Sequence, residues 1–212
     1  MDVNGTLELL DPVRVRPSRW VLRHSLVLQG TAFDRLKGAI AHRGGNAVPV
    51  MVRPVGDALE LVYGRLRLAA CVELGLPVLA VLRPLDERAA FETMLIEGGS
   101  GGTPLSAYEL GGAVAQALAA GLYPTRRRLA EAVGVPLANL AAAEALHQLP
   151  AEVIQAFASP VDILPVWARK LVACYEKDPE GVRARATAPM QASVRRSARG
   201  VFLALTSTQP AG

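Results

Sequence analysis

Leu59-Glu60-Leu61-Val62-Tyr63-Gly64-Arg65-Leu66-Arg67-Leu68-Ala69-Ala70-Cys71-Val72-Glu73-Leu74-Gly75 is the stretch that decides the fold. Its first five residues are apolar in alternation and predict a short strand. Gly64 allows a tight backbone turn. An alanine-rich helix follows, and Gly75 closes it. The strand therefore runs straight into a helical N-terminus. The unpaired N–H groups of that terminus, flanked by Arg65 and Arg67, form a seat for an anion. The plainer alternative is a solvated helix start that holds no ligand.

Outward from this stretch the pattern stays mixed. Phe33, Leu36, Lys37 and Ile40 fall at helical spacing and predict a helix over residues 33–41. Arg43-Gly44-Gly45-Asn46 is a glycine turn that ends it. The β-branched run 48–52 predicts a strand, paired with 59–63 across Pro54-Val55-Gly56-Asp57. A third strand is expected at 78–82 and a helix at 86–96. Residues 1–12 are expected to be a mobile lead-in. Together these segments predict an α+β module, a small sheet with helices against it.

The second half is helical throughout. Gly98-Gly99-Ser100-Gly101-Gly102 is expected to be a hinge. Ser106 and Glu109 match a capping box that starts a helix ending at Gly121. Thr125 caps a helix over 126–133, Gly134-Val135 makes a turn, and a second helix begins near Pro136 and runs to 146. Helix, glycine turn, helix is the helix-turn-helix pattern. Arg126, Arg127 and Arg128 at the mouth of its first helix can meet a phosphate backbone, and Asn139 can pair with adenine. An ordinary helical hairpin with a solvated arginine face would give the same residues. Helices are also expected near 162–175 and 179–188, and a frayed tail over 206–212.

Composition bounds the function. Of 212 residues, 51% are apolar, so a folded core is expected, and the net charge of +4 permits a nucleic-acid partner without demanding one. No apolar run reaches the roughly 18 residues that cross a bilayer, and no signal pattern opens the chain. A soluble, cytoplasmic protein without a membrane partner is expected. Cys71 and Cys174 lie in apolar surroundings and are expected to be buried thiols. His24, His42 and His147 are scattered, so neither a catalytic residue nor a metal ligand is assigned.

The order of these pieces closely resembles the ParB partition family, and its plasmid-type, RepB-like members most of all. The resemblance rests on residues 43–53, the Gly64–Arg67 turn, Glu97, Leu105-Ser106-Ala107-Tyr108-Glu109, the helix-turn-helix, Leu149-Pro150 and the phrase over 155–163. It implies a ParB/sulfiredoxin-like N-terminal domain over 1–97, a hinge over 98–104, a helix-turn-helix domain over 105–188 and a C-terminal tail over 189–212. It implies CTP with magnesium as cofactor. Gly44, Gly45, Asn46, Gly64, Arg65, Arg67 and Glu97 would be the nucleotide-binding positions. Double-stranded DNA is the implied partner, through Thr125, Arg126, Arg127, Arg128 and Asn139. A ParA-type ATPase or another ParB and homodimer formation are implied as well, with association to a nucleoid or plasmid.

The chain departs from the family pattern at defined places. Gly98 and Gly101 stand where the family has asparagine and arginine, and a glycine cannot neutralise a triphosphate. Each lost charge-assisted contact is worth roughly 1.5 to 3 kcal/mol, so CTP switching is expected to be weakened or lost. The segment over 136–144 is rich in alanine, and Glu144 would sit badly beside phosphate. Three readings follow: a ParB-like DNA-binding protein serving partition or regulation of a plasmid or integrated element, a protein-interaction adaptor on the same scaffold, and an active CTP-dependent clamp.

Overall fold

The computed structural model describes residues 5–20, 30–100, 105–189 and 197–207, with the backbone alone for 97–100. The chain divides into two compact units, Met1–Leu105 and Ser106–Gly212.

The first unit is built on a five-stranded mixed sheet of β1 (Thr6–Leu10), β2 (Val15–Pro17), β3 (Val50–Val55), β4 (Ala58–Tyr63) and β5 (Val78–Leu82), in the order β1-β5-β3-β4-β2. β3 and β4 form an antiparallel hairpin around Gly56-Asp57 and pair Arg53 with Glu60, while β3 and β5 run parallel. β1 lies antiparallel to β5, and β2 lies parallel to β4. Helices α1 (Thr31–Arg43) and α2 (Arg65–Leu74) cover one face, burying Phe33, Ile40, Leu68 and Cys71 against Val50, Val52 and Leu61. Met51 is also buried, so the central strand is covered on both faces. Helix α3 (Glu87–Ser100) follows β5.

Three expectations are corrected here. Within the expected mobile lead-in over 1–12, residues 6–10 form β1 at a sheet edge, held by its ladder to β5, and residues 1–4 lie outside the described part. The sheet has five strands rather than three, because β1 and β2 are short edge strands whose stabilising partners lie far away in sequence. The expected hinge does not begin at Gly98, since α3 continues as helix through Ser100. Residues 101–104 lie outside the described part.

The second unit opens on α4 (Ala107–Ala119), capped as expected: Ser106 Oγ accepts from the Glu109 N–H at 3.2 Å, and the Ser106 N–H donates to Glu109 Oε2 at 2.9 Å. Then come α5 (Arg126–Val133), α6 (Leu137–His147), α7 (Ala151–Gln155), α8 (Pro165–Lys177), α9 (Pro179–Thr187) and α10 (Ala198–Leu205). A Cβ on Gly111 would lie 2.0 Å from the Ala143 carbonyl oxygen, so α4 and α6 approach as closely as glycine permits. The core gathers Leu146, Val153, Ile163, Leu171, Val182 and Leu205. Within the segment assigned to a C-terminal tail, residues 198–205 are corrected to a helix, while residues 190–196 lie outside the described part. α10 buries Val201, Phe202 and Leu205, Trp167 stacks on Phe202 with ring centroids 4.9 Å apart, and the Thr206 hydroxyl donates to the Phe202 carbonyl at 2.8 Å. Residues 208–212 of the expected frayed end lie outside the described part. No single helix among the described residues is long and apolar enough to cross a membrane.

Candidate phosphate seat and nucleic-acid interface

Gly64 ends β4 and caps α2 with φ +101°. A Cβ there would lie 2.7 Å from Val50 Cγ1, so both the turn and the close approach to β3 require glycine. The third helical residue, Arg67, turns one guanidinium nitrogen back over the chain. Its Nη1 donates to the Val48 carbonyl at 3.0 Å and the Pro49 carbonyl at 2.6 Å. Burial lowers the Arg67 pKa, and the charge of Tyr63 opposes that shift. Among the described residues no carboxylate pairs with Arg67, and its Nε and Nη2 have no protein acceptor.

Gly44 closes α1 with φ +73°, its N–H bonding the Ala41 carbonyl and that of Gly45 bonding Ile40. This is a Schellman end, and it delivers Asn46 into the protein. Asn46 is 5% exposed. Its Nδ2 donates to the carbonyls of Val48 and Leu79, both at 2.9 Å, and its Oδ1 accepts from the Leu79 N–H at 2.8 Å and lies 3.8 Å from Cys71 Sγ. Burial pushes the Cys71 thiol up in pKa. The structure thus joins the 44–46 loop and the 64–67 turn through one shared acceptor, the Val48 carbonyl. Arg65 opens α2 beside them, and Glu97 lies in the last turn of α3.

The first-turn N–H groups of α2 and the open edge of Arg67 are donors of the right kind for a phosphate. Gly98 and Gly99 bring α3 no side chain, and no cluster of His, Cys, Asp or Glu among the described residues is placed to hold a metal ion.

One charged centre escaped the sequence reading. Arg53, 2% exposed, donates to Glu60 through Nε and Nη2, to Glu87 at 2.6 Å and to the Leu85 carbonyl. Glu87 also accepts from the Trp20 indole at 2.8 Å and from Arg19 at 3.0 Å. Trp20 packs edge-on to Phe91 of α3, with centroids 5.3 Å apart. Burial alone would raise the Glu87 pKa, but hydrogen bonds from Arg53 and Trp20 and the charges of Arg53 and Arg19 hold it below the usual carboxylate range. A signal for this centre was present: a two-residue loop at 56–57 sets Arg53 opposite Glu60 by counting back along the hairpin.

In the second unit, α5 and α6 bend by 120° across a turn that begins at Gly134, whose φ is +68°. Thr125 caps α5 by accepting from the Arg128 N–H at 3.2 Å. The three arginines part company. Arg126, half-buried, donates to Glu144, which is 7% exposed. Arg127 and Arg128 stay exposed, 79% and 71% by side chain, with loose contacts to Glu131. Glu144, expected to sit badly beside phosphate, is buried in this corner and paired with Arg126. Asn139 is exposed in the first turn of α6, and its Oδ1 accepts from Arg169 of α8 at 3.2 Å. Sequence reasoning missed Arg169, because only the fold carries it across thirty residues to α6.

No protein-family model matches the chain. Among curated proteins it is 38% identical over 113 residues to the chromosome-partitioning protein Spo0J of Thermus thermophilus, covering 53% of this chain and 41% of that protein. It is 33% identical over 93 residues to the probable chromosome-partitioning protein ParB of Coxiella burnetii, covering 43% and 29%. To the putative replication protein B of Sinorhizobium fredii it is 42% identical over 59 residues, covering 26% and 18%. Over these stretches the chain is similar to ParB-type partition proteins. It spans less than half the length of each of these relatives. Among solved structures, its ParB-type fold resembles a Pnob8-like ParB-N domain, with TM-score 0.55 at 12% identity over 96% of this chain and 94% of that one. It also resembles the C-terminally truncated ParB of Caulobacter crescentus complexed to the centromeric parS site. There the TM-score is 0.51 at 20% identity, over 94% of this chain and all of that one.

Proposed function

We propose that this ParB-type chain is a DNA-binding protein that acts in partition or regulation of a plasmid or integrated element. The observation that carries the reading is the α5–α6 corner. Arg127, Arg128, Asn139 and Arg169 stand exposed around it, while the one acidic side chain of α6, Glu144, is buried and neutralised by Arg126. Arginines at a helix mouth supply phosphate contacts, and an exposed amide in the first turn of the following helix supplies a base contact. The partner is double-stranded DNA. A ParA-type ATPase and a second copy of the chain are the protein partners that the kinship suggests.

CTP is bound weakly in this reading, through phosphate contacts at Gly64–Arg67 and without the side chains that Gly98 and Gly101 omit. Calorimetry with CTP and magnesium tests this half. Affinity weaker than micromolar supports it. A clear micromolar signal lost in Arg67→Ala points instead to an active clamp.

For the DNA half, recovery of DNA bound in the native host is the test. Enrichment of one short palindrome, lost in Asn139→Ala, supports the reading. Recovery of proteins with no enriched DNA favours the adaptor, a reading that the short alanine side chains along α6 also accommodate.

A further inference from the structure

We propose that Asn46 is a positioning residue, which holds the Val48 carbonyl and through it Arg67 in the orientation that receives a phosphate, and that it makes no contact with the ligand itself. This rests on the reading of Gly64–Arg67 as a phosphate seat.

The capacity of the Asn46 side chain is used up within the protein. A primary amide offers two N–H donors and two acceptor lone pairs. Both donors are spent, on Val48 and Leu79. The oxygen takes the Leu79 N–H and faces the Cys71 thiol. By bonding both the N–H and the carbonyl of Leu79, the amide pairs with β5 as a neighbouring strand residue would. That fixes it more firmly than one bond to a loop. Val48 takes part through its backbone carbonyl, and the residue is 53% exposed.

The Val48 carbonyl then acts in two directions. It accepts from Asn46 at 2.9 Å and from Arg67 at 3.0 Å, and the Pro49 carbonyl takes the second contact of the same guanidinium nitrogen at 2.6 Å. A guanidinium is planar, so two bonds from one nitrogen set the direction of the remaining donors. The edge formed by Nε and Nη2 is thereby aimed before any ligand arrives. Holding a recognition group in place in advance spares the ligand the cost of ordering it. A lysine at 67 has no plane to set and could not be oriented this way.

The test is nitrogen-15 NMR of the full chain titrated with magnesium CTP at millimolar concentration. It follows the Arg67 guanidinium and the Asn46 side-chain amide in wild type, Asn46→Ala, Arg67→Ala and the double variant. Separate, slowly exchanging Arg67 signals are expected in wild type, shifting with CTP. Asn46→Ala should merge them and weaken CTP by roughly tenfold, and should add nothing in the Arg67→Ala background. In Arg67→Ala the Asn46 amide should not respond to CTP, a readout that stands even if Asn46→Ala fails to fold. An Asn46 amide that still shifts with CTP in Arg67→Ala, or an additive loss in the double variant, makes Asn46 a direct contact and overturns the proposal. So do unchanged Arg67 signals in Asn46→Ala with the CTP response retained. Absence of any CTP-induced shift in wild type removes the phosphate seat itself, and the proposal with it.

Discussion

Single residues decide how the two ends of α2 are built. Gly64 carries φ +101° and has 2.7 Å of room for a side-chain carbon. Gly64→Ala is therefore expected to destabilise the first unit by about 2 kcal/mol or more, read as a lowered urea midpoint. Gly64, Gly75 and Gly134 were legible in the sequence because each stands between two regular segments and must turn the chain. The true partners of Asn46 were not, because Leu79 lies 33 residues away and no local pattern announces it. Glu87 carries a prediction at the same scale. Its folded pKa is depressed, so its contribution is present above the unfolded carboxylate value of about 4.3 and is lost as pH falls through the folded value. An acid titration of stability, followed through Trp20 fluorescence, should show this loss in wild type. Glu87→Gln should flatten that part of the curve, and an unchanged curve would place the acid sensitivity elsewhere.

Among elements, the α5–α6 corner and the C-terminal helix separate what sequence can and cannot tell. The corner was legible because Thr125, Gly134 and the apolar period between them are local signals. The pairing of Arg126 with Glu144 was not, because Glu144 lies about two turns into α6 and beyond a sharp bend. Removing Arg126 leaves a buried carboxylate without its cation. Arg126→Ala is expected to cost about 2 to 3 kcal/mol in chemical denaturation, whereas Arg127→Ala, an exposed pair, should cost within about 0.5 kcal/mol. Equal effects would contradict the assigned roles. α10 was hidden because its short run contains Gly200 and its stability comes from packing on Trp167 and the core around Leu171. Truncation before Ser197 removes Val201, Phe202 and Leu205 and uncovers Trp167 and the core around Leu171, and should lower the thermal midpoint of the second unit by several degrees or more.

For the whole molecule, the strand-to-helix passage at Gly64 and the bent helix pair at Gly134 are the two landmarks on which kinship with ParB-type proteins was read, and both are present. Edge strands β1 and β2, held by ladders to partners far away in sequence, and the extension of α3 over Gly98–Ser100 are the parts that local propensity misjudged. Duplex binding as a function of salt tests the central claim most directly. For wild type, log affinity should fall linearly with log salt at about 0.9 per phosphate contacted, and Arg127→Ala/Arg128→Ala should bind more weakly with a slope shallower by about 2. No duplex binding at about 50 mM salt, or a double variant indistinguishable from wild type in affinity and slope, would contradict the assignment of this corner to DNA.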